Sequence, residues 1–236
     1  MARHATAAEG TSARILDAAE RLVQTRGFNG FSYADVAAEL GLTTAALHYH
    51  FPGKAELGAA LVDRYAQRFA AQLGELDAAG GPAPGRLDGF AALYLQVLQD
   101  RRMCLCGMLA AEYHTLPEGM QELVLRFFSQ NESWLETVLA QGAREGALQY
   151  AGSASDAARL LISGLEGAML IARSFGDPGR FTAAASRLLA SVTGAADAVG
   201  SDGAADTGSP VSGDGVTGDA KSRPVRTVPP DPVRTL

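Results

Sequence analysis

Residues 32–54 read SYADVAAELGLTTAALHYHFPGK. This stretch carries more punctuation than any other part of the chain. Ser32 with Asp35 three residues on has the pattern of a capping box, with Asp in the usual Glu place. Val36, Ala37 and Leu40 then form one apolar stripe at helical spacing. Gly41 breaks that helix. Thr43 supplies a cap for a second one, which runs to about Tyr49 until Pro52 and Gly53 stop it. Two short helices joined by a tight glycine turn form a helix-turn-helix, with residues 33–40 as the first helix and 44–49 as the one that enters the DNA major groove.

The side-chain choice in the second helix fits that use. Thr44, Ala45 and Ala46 are small, so a helix backbone carrying them approaches base edges closely. Threonine and alanine methyls meet thymine methyls, and the Thr hydroxyl gives or takes a hydrogen bond. Leu47 faces back into the small core. Tyr33, Thr43, His48 and Tyr49 complete the expected contact set, and Phe51 packs beneath the helix. Lys54, at the start of the next helix, is expected to hold a phosphate together with the positive helix end.

Outward from this stretch the chain reads as helix throughout. TSARILDAAERLVQTR (residues 11–26) places Ile15, Leu16, Ala19, Leu22 and Val23 on one side, with Thr11 or Ser12 as its cap and Gly27 as its stop. A long helix from Lys54 to about Leu76 precedes DAAGGPAPG (residues 77–85), a flexible composition. Amphipathic and apolar helical patterns then follow to about Val192, among them SASDAARLLISGLEGAMLIARSF (residues 153–175), apolar on nearly every side and expected to be capped at Ser155. About nine helices and no convincing strand are predicted. Residues from about 194 onward are Gly, Asp, Ser, Thr and Pro with no period, too polar to bury a core.

The chain has 236 residues and a net charge of −6, which by itself speaks weakly against nucleic acid. Six of its acids lie in the last forty positions, and residues 1–60 are near neutral. No stretch has the length of a membrane span or the apolar core of a signal peptide, so a cytoplasmic protein with no membrane partner is expected. No phosphate loop, Rossmann glycine pattern, nucleophile elbow or zinc-protease motif is present, which argues against an enzyme and leaves no cofactor to expect.

The two cysteines, Cys104 and Cys106, are too few for a disulfide framework. Three readings stand beside each other. They are small buried hydrophobes; they are metal ligands with Glu112 and His114, which spacing alone does not support; or they are thiol sensors of oxidants or electrophiles, activated by Arg101 and Arg102. Met103, Met108, Tyr113, Phe127, Phe128, Trp134 and Met169 are core residues singly, and together they are the material of an adaptable apolar pocket. Glu112, Glu166 and Arg173 interrupt apolar segments, and Glu112 is the candidate to fix a ligand's polar group.

ILDAAERLVQTRGFNGFSYADVAAELGLTTAALHYHFPGKAEL (residues 15–57) resembles the TetR family of bacterial transcriptional regulators, over about residues 12–60. Residues 86–192 resemble it only in helix pattern, although CLCGMLAAE (residues 104–112) looks like a segment of one subclass. The sequence departs from the family at Thr44, where Lys or Arg is common, and at His48, where Tyr is common. The resemblance implies an all-α chain with a three-helix DNA-binding domain (11–53) and a larger ligand-binding and dimerisation domain (54–193), while composition alone predicts a disordered arm (1–10) and a disordered tail (194–236). It implies a homodimeric repressor that binds a pseudo-palindromic double-stranded operator and is released by a small-molecule effector. The last two helices would form the dimer interface, with Leu161, Gly164, Leu165 and Ala168 in contact. The pocket would draw on Cys104, Cys106, Met108, Glu112, Phe127, Trp134 and Met169, with no metal. The alternatives are a repressor sensing through Cys104 and Cys106, and a helical binding protein without DNA function.

Overall fold

The computed structural model of the chain describes residues 2–194, with side chains from residue 10 onward. Nine α-helices lie among the described residues: α1 (Ala2–Arg26), α2 (Tyr33–Leu40), α3 (Thr44–His50), α4 (Lys54–Ala79), α5 (Ala83–Gln99), α6 (Leu105–Ala111), α7 (Glu118–Arg144), α8 (Ala154–Phe175) and α9 (Pro178–Ala190). No strand is formed among them beyond one isolated bridge between Gln149 and Thr193. No described helix is long and apolar enough to cross a membrane. The tail expected to be disordered lies outside the described residues, except for Gly194.

Two helix starts differ from the sequence reading. α1 is continuous from Ala2, so neither Thr11 nor Ser12 caps the helix. The cause is composition: Ala-rich residues favour helix, and Gly10 costs only about 1 kcal/mol within one. α8 is capped by Ser153 rather than Ser155, its hydroxyl accepting from the Asp156 backbone N–H at 3.0 Å.

α1, α2 and α3 close over Ile15, Ala19, Val23, Val36 and Leu47, all out of solvent. This small core sits on α4, whose 26 residues run from the end of α3 into the larger helical layer. Glu20 of α1 is buried and pairs with Arg68 (2.6 Å) and Arg64 (3.2 Å) of α4, which straps α1 onto it. In the larger layer α8 packs on α7 and α9, and α7 packs on α4 and α5. Phe69 (α4), Phe90 and Tyr94 (α5) and Phe127 (α7) meet there, ring centroids 5.2–5.9 Å apart and mostly edge to face. Such pairs each add about 0.5–1.5 kcal/mol beyond the area they bury.

Candidate nucleic-acid interface and regulatory cavity

The local chemistry of residues 32–54 is the one expected. Ser32 Oγ accepts from the Asp35 N–H (3.3 Å), and Asp35 Oδ2 accepts from the Ser32 N–H (2.7 Å). The Ser32 hydroxyl, donating to the same carboxylate, holds the Asp35 carboxyl below the usual carboxylate range. Gly41 takes φ = 67°, the left-handed conformation that ends α2 without a Cβ penalty. Thr43 Oγ1 accepts from the Ala46 N–H at 3.2 Å and opens α3.

α3 buries Leu47 and turns Thr44, Ala45, His48 and Tyr49 to solvent, with Thr43 exposed beside them. Tyr49 is 82 % exposed, its ring meeting His50 edge to face with centroids 5.2 Å apart. These five residues form one face. It carries no Lys or Arg, so it is suited to reading by hydrogen bonds and methyl contacts. His48 Nδ1 lies 2.9 Å from the Pro52 carbonyl oxygen, an acceptor only, so that nitrogen carries the proton and Nε2 is left outward. His50 Nδ1 lies 2.9 Å from Ser12 Oγ and anchors the end of α3 to α1.

Two of the expected DNA contacts are turned inward. The Tyr33 hydroxyl is within hydrogen-bond distance of the Phe51 (2.9 Å) and Gly53 (2.6 Å) carbonyl oxygens, and its ring lies against His48. Burial, with Glu56 nearby, pushes its pKa up to about 12. Tyr33 therefore fixes the turn behind α3. Lys54 Nζ donates to the Phe31 carbonyl oxygen at 2.5 Å and sits over the Phe28 and Phe31 rings. Burial lowers its pKa, opposed by Glu112 and Asp35. Its ammonium holds the α1–α2 connection instead of pointing at a phosphate. Short backbone acceptors and two aromatic faces satisfy it better than a helix-end position in water.

The residues expected to line a pocket divide in the same way. A cavity of about 350 Å³ opens between α6, α7 and α8, lined by Met103, Gly107, Met108, Phe128, Ile162 and Glu166 among others. Of the seven candidates only Met108 lines it. Phe127 and Trp134 border a separate cleft of about 290 Å³ against α4. There the Trp134 Nε1–H donates to Asp77 Oδ2 (2.9 Å) and its ring stacks on Phe90. Met169 is fully buried core. On a helix one residue turns the side chain by about 100°, so Phe128 and Leu170 face the cavity where their neighbours Phe127 and Met169 do not.

Cys104 and Cys106 are free and buried. Burial first, and Glu166 second, pushes both thiols well above their ordinary range. Arg102, expected to activate them, pairs with Asp100 and reaches Gln24 Oε1 instead. Among the described residues no three His, Cys, Asp or Glu side chains are grouped to hold a metal ion. Glu112 is not in the cavity. Its carboxylate accepts from the backbone N–H of Phe28 (2.5 Å) and Asn29 (3.3 Å), in the turn between α1 and α2, and Thr115 Oγ1 accepts from Asn29 Nδ2 at 2.8 Å. Arg173 of α8 donates to the Thr25 carbonyl oxygen at 2.7 Å. Sequence spacing gave no hint of either bond, because their partners lie 84 and 148 residues away.

Leu161 and Leu165 are buried in the chain's own core, and Gly164 lies under Leu188 of α9, where an added Cβ would come within 2.7 Å of Cδ1. Ala168 is half-buried. The uncovered face of α8 is a different stripe: Leu160, Leu170, Ile171 and Phe175 are exposed, with Ser163 and Gly167 between them.

A small capped helix pair presenting a polar, methyl-bearing face, set on a larger helical layer with its own cavity, defines a helix-turn-helix DNA-binding regulator. The comparisons with known proteins agree. The profile of "Bacterial regulatory proteins, tetR family" matches residues 15–61, and that of "Tetracyclin repressor-like, C-terminal domain" matches residues 83–188. The chain is 30 % identical over 138 residues to the HTH-type transcriptional regulator CymR of Pseudomonas putida, covering 56 % of this chain and 67 % of that protein. The crystal structure of a TetR-family regulator from Agrobacterium tumefaciens matches with a TM-score of 0.77 and 32 % identity, over 79 % of this chain and 99 % of that one. A TetR transcriptional regulator from Legionella pneumophila matches at 0.70 and 31 %, over 76 % and 95 %. The chain belongs to the TetR family of transcriptional regulators, which are DNA-binding proteins and not enzymes.

Proposed function

We propose that the protein is a homodimeric repressor that reads a pseudo-palindromic operator through α3 and leaves it when a small ligand fills the cavity between α6, α7 and α8. Thr43, Thr44, Ala45, His48 and Tyr49 are its DNA-reading face, and the cytoplasm is its place of action. The observation that carries the reading is the pairing of that face with the Glu112 bond. α6 lines the cavity through Gly107 and Met108 and, one residue past its end, holds the α1–α2 turn by its Phe28 and Asn29 amides. A ligand that shifts α6 thus moves the support of the DNA-binding helices. The coupling required is about 1–3 kcal/mol.

The dimer is supported by the uncovered stripe on α8. Leu160, Leu170, Ile171 and Phe175 are 49–62 % exposed on one helix, and Ser163 and Gly167 allow a second helix to come close; Ser163, Gly167 and Leu170 also line the cavity, so a second copy docked there closes its mouth. A contiguous apolar stripe of this kind on a folded chain marks an interaction surface. Two copies joined there would set their recognition helices to two half-sites about 34–36 Å apart.

The test is fluorescence anisotropy with labelled DNA from upstream of the protein's own gene, at fixed salt. Tyr49→Phe removes one outward hydroxyl from an exposed ring, and is expected to weaken operator binding about tenfold while leaving the melting temperature unchanged. An unchanged Kd would remove Tyr49 from the interface, and unchanged binding in Thr44→Glu as well would overturn the assignment of the α3 face.

A further inference from the structure

Beside the cavity between α6, α7 and α8, which the stem of Glu166 lines, lies one group that packing does not account for. Both carboxylate oxygens of Glu166 are shut off from solvent and lack a hydrogen-bond partner. Tyr94 and Cys104 approach the carboxylate without reaching ordinary hydrogen-bond geometry. α6 makes room for it: a Cβ added to Gly107 would lie 2.3 Å from Glu166 Oε2. A second carboxylate, Glu132 of α7, lines the same cavity, as do the Phe128 ring and the Met103 and Met108 thioethers. No Lys, Arg or His lines it. The titratable groups facing Glu166 from the elements around it are Tyr65 of α4, Tyr94 of α5, and Cys104 and Cys106 at the start of α6. All of them are neutral or acidic. Arg173, the nearby cation on α8, is engaged by Met108 Sδ and the Thr25 carbonyl oxygen.

We propose that Glu166 anchors an organic cation, a compact lipophilic amine or quaternary ammonium whose apolar body fills the cavity and whose charge draws the Glu166 carboxylate from beside Gly107 into the cavity. The inference rests on the reading of this cavity as the effector site and names the class of effector. The sign follows from the lining: two carboxyl groups and no cationic side chain favour a positive guest, and a buried carboxyl keeps its negative charge only when that charge is paired. The Phe128 ring offers its face to the same cation. The volume, about 350 Å³, lies at the small end of ligand sites, which limits the occupant to a compact molecule.

The experiment uses the full chain without DNA and benzyltrimethylammonium as the probe, a permanent cation whose charge does not change with pH. Its affinity is measured by calorimetry from pH 6 to pH 8. Burial pushes the Glu166 carboxyl up to about 7, and the cation selects the ionised form. Affinity is therefore expected to rise about tenfold over this range and then level off. Glu166→Gln is expected to lose at least tenfold in affinity and all of the pH dependence. Neopentylbenzene, the uncharged carbon analogue, is expected to bind with no pH dependence. Absence of binding, a flat pH profile in the unmodified protein, or equal affinity in Glu166→Gln each overturns the proposal, and the pH profile needs no variant to fold. Adding the probe to a preformed operator complex separates the two readings. Glu166-dependent binding with release of DNA supports both. The same binding with DNA retained supports the cation site and overturns its role as the effector site. Operator binding in a protein that ignores the cation overturns the cation site alone.

Discussion

Replacing Glu166 by Gln is expected to stabilise the unliganded protein, by an amount that depends on pH. The argument is one of proton linkage. Burial raises the Glu166 carboxyl from the usual 4.5 to about 7 in the folded chain. Between these values the folded state keeps its proton while the unfolded state has lost it. Stability then falls as pH rises, from a maximum below about 4.5 to a floor above about 7. At 1.36 kcal/mol per unit the loss is about 3 kcal/mol. Gln has nearly the same shape and no proton to lose, so it escapes the loss. The measurement is a pair of thermal melts, followed by circular dichroism at one protein concentration, from pH 4 to pH 8. All other titrating groups cancel in the difference. The two proteins should nearly coincide in their pH-dependent part at pH 4. By pH 8 the variant should melt roughly 6–12 °C higher, taking about 2–4 °C per kcal/mol for a chain of this size. Parallel curves with a constant offset would mean that the carboxylate is solvated or paired in the folded state. The burial argument would then fail.

Tyr33→Phe removes the hydroxyl that holds the Phe51 and Gly53 carbonyls, and should cost about 1–2 kcal/mol in urea denaturation while weakening operator binding. Glu112→Ala leaves the Phe28 and Asn29 amides without their carboxylate and should cost about 1–3 kcal/mol, with the release of DNA by ligand blunted. Both thiols should resist iodoacetamide in the folded protein at neutral pH and react fully in urea, because burial keeps them protonated; fast labelling of the native chain would revive the sensor reading. Ile171→Asp places a charge on the exposed face of α8, and should convert a dimer to a monomer in sedimentation without unfolding it.

The DNA-binding segment was legible because its signals are local. The Ser32–Asp35 box, Gly41 and Thr43 act within three or four residues of themselves, and the outward face of α3 follows from the buried position of Leu47. Lys54 misled because a positive charge near DNA has an obvious use, whereas the Phe31 carbonyl and the two rings that hold it are distant in sequence. α8 failed differently. A helix apolar on almost every side has no phase to read, so Leu161 and Leu165 looked as suitable for an interface as Leu160 and Leu170. The cavity was half legible. Glu166 stood out as a charge inside an apolar helix, the right signal, but Glu112 shared it, and only the packing shows which of the two is left without a partner.

α4 carries the DNA-binding helices at one end and Asp77, held by the Trp134 Nε1–H, near the other. At about 1.5 Å per residue its 26 residues make a rod about 39 Å long. Tilting a rod of that length by about 2° carries its far tip more than 1 Å sideways, whereas binding constellations tolerate about 0.5 Å. A motion too slight to disturb any packed side chain at the pivot therefore suffices to throw α3 out of register with the bases. In a dimer the two tips swing together, and the spacing between half-sites becomes a ruler that small angular errors misread twice over.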